Sequence, residues 1–64
     1  MNEINIEKIE RERVRLKLSK YEMSRRIDMS RQSYYDILNN KSTKLSTLKK
    51  IAEVLDFDYK DLLI

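Results

Sequence analysis

The sequence contains no cysteine, no histidine, no glycine and no proline. Without cysteine there is no disulfide and no thiolate-held metal, and without histidine the commonest general base and metal ligand is missing. The lack of glycine and proline disfavours a glycine-rich phosphate loop and the turns of a many-stranded sheet. Long apolar runs are also missing, since none approaches the roughly 20 residues of a membrane span. The opening stretch MNEINIEKIERE alternates charge instead of placing a basic region before an apolar one. These absences predict a cytoplasmic protein with no metal, no cofactor and no evident small-molecule substrate. They also argue against an enzyme, because no serine or carboxylate has a partnered base at a recognisable spacing.

What remains is dominated by Lys, Arg, Glu, Leu, Ile and Asn, residues compatible with helix at solvent-facing or core positions, so an all-α fold is expected. The 64 residues suffice for one small domain spanning 1–64, in which folding buries only about 60% of the unfolded chain's surface. Dimerisation is one remedy for the marginal stability this implies. The net charge of +3 hides a pattern. Between Arg11 and Lys50, 12 basic residues face four acidic ones, whereas residues 1–10 sum to −2 and residues 51–64 to −3. Positive charge concentrated on the middle of a chain suits a surface that meets a polyanion.

Apolar spacing divides the chain into helices. Ile6, Ile9 and Leu16 form one stripe of a first helix over about Asn5 to Lys17. Leu18-Ser19 and Glu22-Met23 then supply a complete helix entry, with Ser19 as N-cap, Glu22 as its reciprocal partner and Leu18 with Met23 as a hydrophobic staple. That helix continues through Ile27 and turns at Asp28. A second entry follows at once, with Ser30 as N-cap and Met29 against Tyr34. Only about two residues separate these helices, which forces a sharp angle between them and defines a helix-turn-helix over residues 19–40.

In the helix from Arg31 to about Asn39, Tyr34, Ile37 and Leu38 face the core. The opposite face presents Arg31, Gln32, Tyr35 and Asp36, with Asn39 near its end. Asn40 is the expected left-handed C-cap. Leu45, Leu48, Ile51, Ala52 and Leu55 give the apolar face of a fourth helix capped by Thr43. Phe57, Asp58 and Leu62 give a short fifth helix, with Asp61 near its positive end.

Taken together, Leu18-Ser19, Met23-Ser24, Ile27, Met29-Ser30, Tyr34, Ile37, Asn39-Asn40-Lys41, Leu45, Leu48, Ile51-Ala52, Leu55 and Asp61-Leu62-Leu63 resemble the phage repressor and Cro-like helix-turn-helix regulators, the XRE family. The resemblance covers nearly the whole chain from about Ile6. It implies a compact five-helix, lambda-repressor-like DNA-binding domain whose third helix enters the major groove of double-stranded DNA, and a transcriptional regulator, chiefly a repressor of phage or mobile-element type, acting as a homodimer. The competing reading is a protein-interaction module, such as an antitoxin or accessory factor, whose helix-turn-helix serves autoregulation. Departures from the family pattern are Lys20 in place of a glutamine, Asp28 and Asn40 in place of glycines, Tyr34 in place of a small aliphatic residue and Ser24 in place of an alanine.

On this reading the base-contacting residues are Arg31, Gln32, Tyr35 and Asp36. Glutamine can bond adenine bidentately, arginine can bond guanine or a phosphate, and tyrosine can pack on a thymine methyl. A carboxylate facing phosphates is repelled unless it accepts from cytosine or pairs with Gln32 one turn away, so Asp36 has one of those tasks. Ser19, Lys20, Ser30, Asn39, Lys41, Ser42 and Lys44, at helix starts or in the loop after the third helix, are the expected phosphate contacts.

Overall fold

A computed structural model describes residues 2–64. Four α-helices follow one another: α1 (Ile6–Arg15), α2 (Lys20–Arg26), α3 (Arg31–Asn40) and α4 (Leu45–Leu55), with a final 3-10 turn at Tyr59–Leu62. The all-α expectation therefore holds, with the fifth helix tightened to a 3-10 turn. One element was not foreseen. Two short strands, β1 (Asn2–Glu3) and β2 (Ser42–Thr43), pair antiparallel with Asn2 opposite Thr43 and Glu3 opposite Ser42. Next along β1, Ile4 forms a bridge to Leu63. Its N–H donates to the Lys41 carbonyl at 3.0 Å, and the Asn5 N–H donates to the Leu62 carbonyl at 2.7 Å. Residues 2–5 thus lie between the segment after α3 and the segment near Ile64, tying both down.

Three of the four helices begin where a side chain accepts from one of the free N–H groups of the first turn. Asn5 Oδ1 accepts from the Lys8 N–H at 3.1 Å to open α1. The box at α2 is complete: the Glu22 N–H donates to Ser19 Oγ and the Ser19 N–H donates to Glu22 Oε1, both at 3.0 Å. These bonds, led by the one from the Ser19 backbone, hold the Glu22 carboxyl below the ordinary glutamate range. Ser30 Oγ accepts from the Ser33 N–H at 3.1 Å to open α3. Thr43, expected to cap α4, does not, because it is buried in the β ribbon; Lys44 takes the cap position with no side-chain bond.

All four helices end on a residue with left-handed backbone, and none of these is glycine: Lys17, Asp28, Lys41 and Asp56 have φ of 60°, 59°, 57° and 61°. After α1, α2 and α4 the next two N–H groups return to carbonyls of the last turn, as in Lys17 to Val14 and Leu18 to Arg13. Three expectations shift as a result. α1 stops at Arg15, so Leu16 is left 38% exposed while Leu18 swings inward. Asn40 remains helical and Lys41 is the left-handed residue, because the pairing of its carbonyl with Ile4 fixes where α3 must end. Leu45, on the expected stripe of α4, lies at the helix start and is exposed.

A side chain with a Cβ pays roughly 1–2 kcal/mol in this backbone region. Lys17→Gly and Asp56→Gly, at exposed positions, should therefore each stabilise the fold by about 1 kcal/mol. That is a rise of about 4–8 °C in melting temperature by circular dichroism for a domain this small. Unchanged or lowered melting would show that the left-handed residues carry no strain.

The core is built from Ile4, Ile9, Leu18, Met23, Ile27, Tyr34, Ile37, Leu48, Ile51, Ala52, Leu55 and Leu62. It joins every helix, the bridge residue Ile4 after β1 and the 3-10 turn, which gives α3 a fixed seat beneath its exposed face.

Candidate nucleic-acid interface

Tyr34 anchors the inner side of α3. Its ring is fully buried and its hydroxyl donates to Glu10 Oε2 at 3.0 Å. Glu10 also accepts from Arg13 Nε at 2.6 Å, and Arg13 in turn donates to the Leu18 carbonyl. Glu10 on α1 therefore clasps α3 and the entry to α2 at once. Burial, reinforced by the negative Glu10 and its hydrogen bond, pushes the Tyr34 hydroxyl well above the ordinary tyrosine value.

This has a pH signature. The folded state holds the Tyr34 proton more tightly than the unfolded chain, so its contribution is complete below about pH 10 and is lost as pH rises above that, by roughly 1.4 kcal/mol per unit. Tyr34→Phe should cost about 1.5 kcal/mol near neutral pH, the value of a hydrogen bond to a charged group. The gap between the two proteins in urea melts should close by about pH 11. A gap that stays constant from pH 7 to pH 11 would count against the buried hydroxyl.

The outer side of α3 matches the helical arithmetic. Arg31, Gln32, Tyr35, Asp36 and Asn39 are all exposed, and none belongs to the core. Gln32 Nε2 donates to Asp36 Oδ1 at 3.0 Å, which is one of the two arrangements expected for a carboxylate on this face. Lys20, at the start of α2, brings its ammonium 5.3 Å from the Tyr35 ring centroid and 3.9 Å from Glu10 Oε1. The Lys20 stem thus bridges α1 and α3, and its charge lies beside Tyr35 on the outer face of α3.

The remaining expected contacts divide into two groups. Ser19 and Ser30 are exposed but their hydroxyls are engaged in caps, and Ser30 also donates to Ser33 Oγ at 2.9 Å. Asn39, Lys41 and Lys44 are exposed, whereas Ser42 is half-buried in β2. The ribbon therefore sets the path of the loop that carries Lys41 and Lys44.

Two residues overlooked in the sequence reading stand beside this face. Tyr21 on α2 is 47% exposed. Arg25, one turn on, donates to its hydroxyl at 3.0 Å and has its guanidinium carbon 5.7 Å from the ring centroid. The Arg31 guanidinium carbon lies 5.4 Å from the same ring. The spacing of Tyr21 and Arg25 at i and i+4 was the available signal. Among the described residues no group of acidic side chains could hold a metal ion, and no helix is long and apolar enough to cross a membrane.

Comparison with protein families finds that a helix-turn-helix family model matches residues 9–62. The match runs from α1 to the 3-10 turn and includes every residue of the exposed α3 face. Comparison with curated proteins and with solved structures returns no match.

Proposed function

This chain belongs to the helix-turn-helix family of XRE-type DNA-binding transcription regulators, and on that premise we propose that it is a sequence-specific repressor of phage or mobile-element type. In this reading α3 lies in the major groove, Gln32 and Tyr35 meet base edges, and Arg31 takes a guanine or a phosphate. The observation that carries it is the Gln32–Asp36 bond. One amide hydrogen of Gln32 is given to Asp36. The second hydrogen and the amide oxygen remain for the donor and acceptor pair that adenine presents. Asp36 thus sets the orientation of the reading group. Lys20, Lys41 and Lys44 take phosphates, joined by Ser19, Ser30, Asn39 and Ser42 where their hydrogen bonding allows.

The operator is a two-fold site bound by a homodimer. The partly exposed apolar side chains at Phe57, Leu63 and Ile64 are the contact we favour between copies. Binding to a random duplex library, followed by sequencing of the bound fraction, should recover a palindrome with half-sites about one helical turn apart. Recovery of no preferred sequence would overturn the proposal. Alanine at both Arg31 and Gln32 provides a second check: lost DNA binding with an unchanged biological effect would favour the protein-interaction module instead.

Asp36→Ala sharpens the assignment of Gln32. It removes a negative charge facing the phosphates, so affinity for unrelated DNA should rise. It also frees the amide, so discrimination at the Gln32-contacted base pair should fall by about 1–3 kcal/mol. Competition binding against single-base operator variants reads both effects. Undiminished discrimination would mean that Asp36 does not orient Gln32.

A further inference from the structure

The ring of Tyr21 is shared by two cations from the two helices of the helix-turn-helix, Arg25 of α2 and Arg31 of α3. Like charges gathered on one side chain repel, and such a pair is ordinarily relieved by a carboxylate. None is present here. Among the described residues the ion pairs are Glu10 with Arg13 and Lys20, Glu12 with Arg15, and Asp28 with Lys50. Of the acids nearest in sequence, Glu22 has its carboxylate engaged by the Ser19 N–H, and Asp28, three residues from either arginine, pairs with Lys50 at 3.9 Å. Arg25 and Arg31 are both exposed and therefore open to an anion from outside.

Geometry then selects the anion. Arg31 is the first residue of α3, and its guanidinium leans back over α2 instead of following Gln32 and Tyr35 along the reading face. A guanidinium resting on a ring keeps its in-plane donors free at its edge, and those donors match the oxygens of a phosphate. Two such groups at the rim of a face that lies in the major groove meet the DNA backbone and not the base edges.

We propose that Arg25, Tyr21 and Arg31 form a clamp for a single DNA backbone phosphate, so that Arg31 positions the protein on the duplex and does not read a base. The clamp rests on the DNA-binding reading above but is independent of sequence recognition. Tyr21 is the positioning residue: it holds Arg25 through its hydroxyl and both guanidiniums through its ring. Because the two arginines hold one phosphate, losing the second after the first costs little more.

The test uses Arg25→Gln, Arg31→Gln, the double variant and Tyr21→Leu in the full chain. Affinity is measured over a range of salt for the selected operator duplex and for a shuffled duplex of equal length. Each arginine variant should weaken binding to both duplexes by a similar factor. Each should also lower the slope of log affinity against log salt by about 1 per protomer, with base preference unchanged. The double variant should have nearly the same slope as either single one. Tyr21→Leu keeps both charges, so it should weaken binding to both duplexes while leaving base preference intact.

A changed base preference in Arg31→Gln would overturn the clamp by making Arg31 a base reader, and so would an unchanged salt slope in either single variant. All three residues are exposed, so the variants should melt no lower than the parent, which separates lost contact from lost folding. If the parent binds both duplexes equally, sequence specificity fails while the salt slopes still decide the clamp. If it binds neither, both ideas fall.

Discussion

Raising salt from about 50 to about 200 mM should weaken a dimer of this protein on its operator by roughly four orders of magnitude. The estimate follows from which cations are free. The central block carries 12 basic residues, but Arg13, Arg15 and Lys50 are engaged by Glu10, Glu12 and Asp28. Near the reading face Lys41 and Lys44 have no carboxylate within 4.0 Å among the described residues, and Lys20 is only loosely held by Glu10 at 3.9 Å. With one phosphate taken by each of these three and one by the proposed arginine clamp, about four contacts per protomer are expected, which gives a slope near −3.6 per protomer and near −7 for a dimer. Fluorescence anisotropy with a labelled operator across salt concentrations measures it directly. A slope near −3.6 would identify a monomer on the DNA, and one shallower than about −2 would remove the charged face from the account.

Ile4→Ala should lower the melting temperature by about 12–24 °C. Ile4 is completely buried, and truncating a buried isoleucine costs about 2–5 kcal/mol. A loss of about 3 kcal/mol at about 4–8 °C each gives that range. The whole fold is worth only roughly 3–10 kcal/mol at ordinary stability per residue. The substitution also loosens the seat of the ribbon beside Lys41, so DNA affinity should fall even under conditions where the protein remains folded. Thermal melts monitored by circular dichroism, with binding measured well below the midpoint, separate the two effects. A melting point within a few degrees of the parent would mean that the N-terminal segment is not part of the core.

The legible parts of this protein were those settled within one helical turn. Ser19 with Glu22, and Ser30 ahead of Arg31, announce helix starts by bonds between neighbours in sequence, and the structure contains both. The exposed α3 face follows from 100° per residue and is also found. The parts that escaped depend on distant segments. Ile4 directly follows a two-residue strand, in a segment with no periodicity to detect, and its partners are Lys41 and Leu63. The Glu10 bond to Tyr34 spans 24 residues. The left-handed position moved from Asn40 to Lys41 because that carbonyl is claimed by Ile4, a constraint invisible to local propensity. Leu16 and Leu45 carry apolar side chains at helix ends, where spacing alone cannot tell whether the core reaches that far.

The junction of β1 with β2 and of Ile4 with Leu63 also bears on the expected order of folding. α2 and α3 meet through contacts close in sequence and can form early, whereas the junction closes almost the full length of the chain on itself. The loop bearing Lys41 and Lys44 is consequently expected to be fixed after the α2–α3 pair. The placement of the lysine loop is in this sense a long-range property of the fold, whereas the helix-turn-helix itself is a local one.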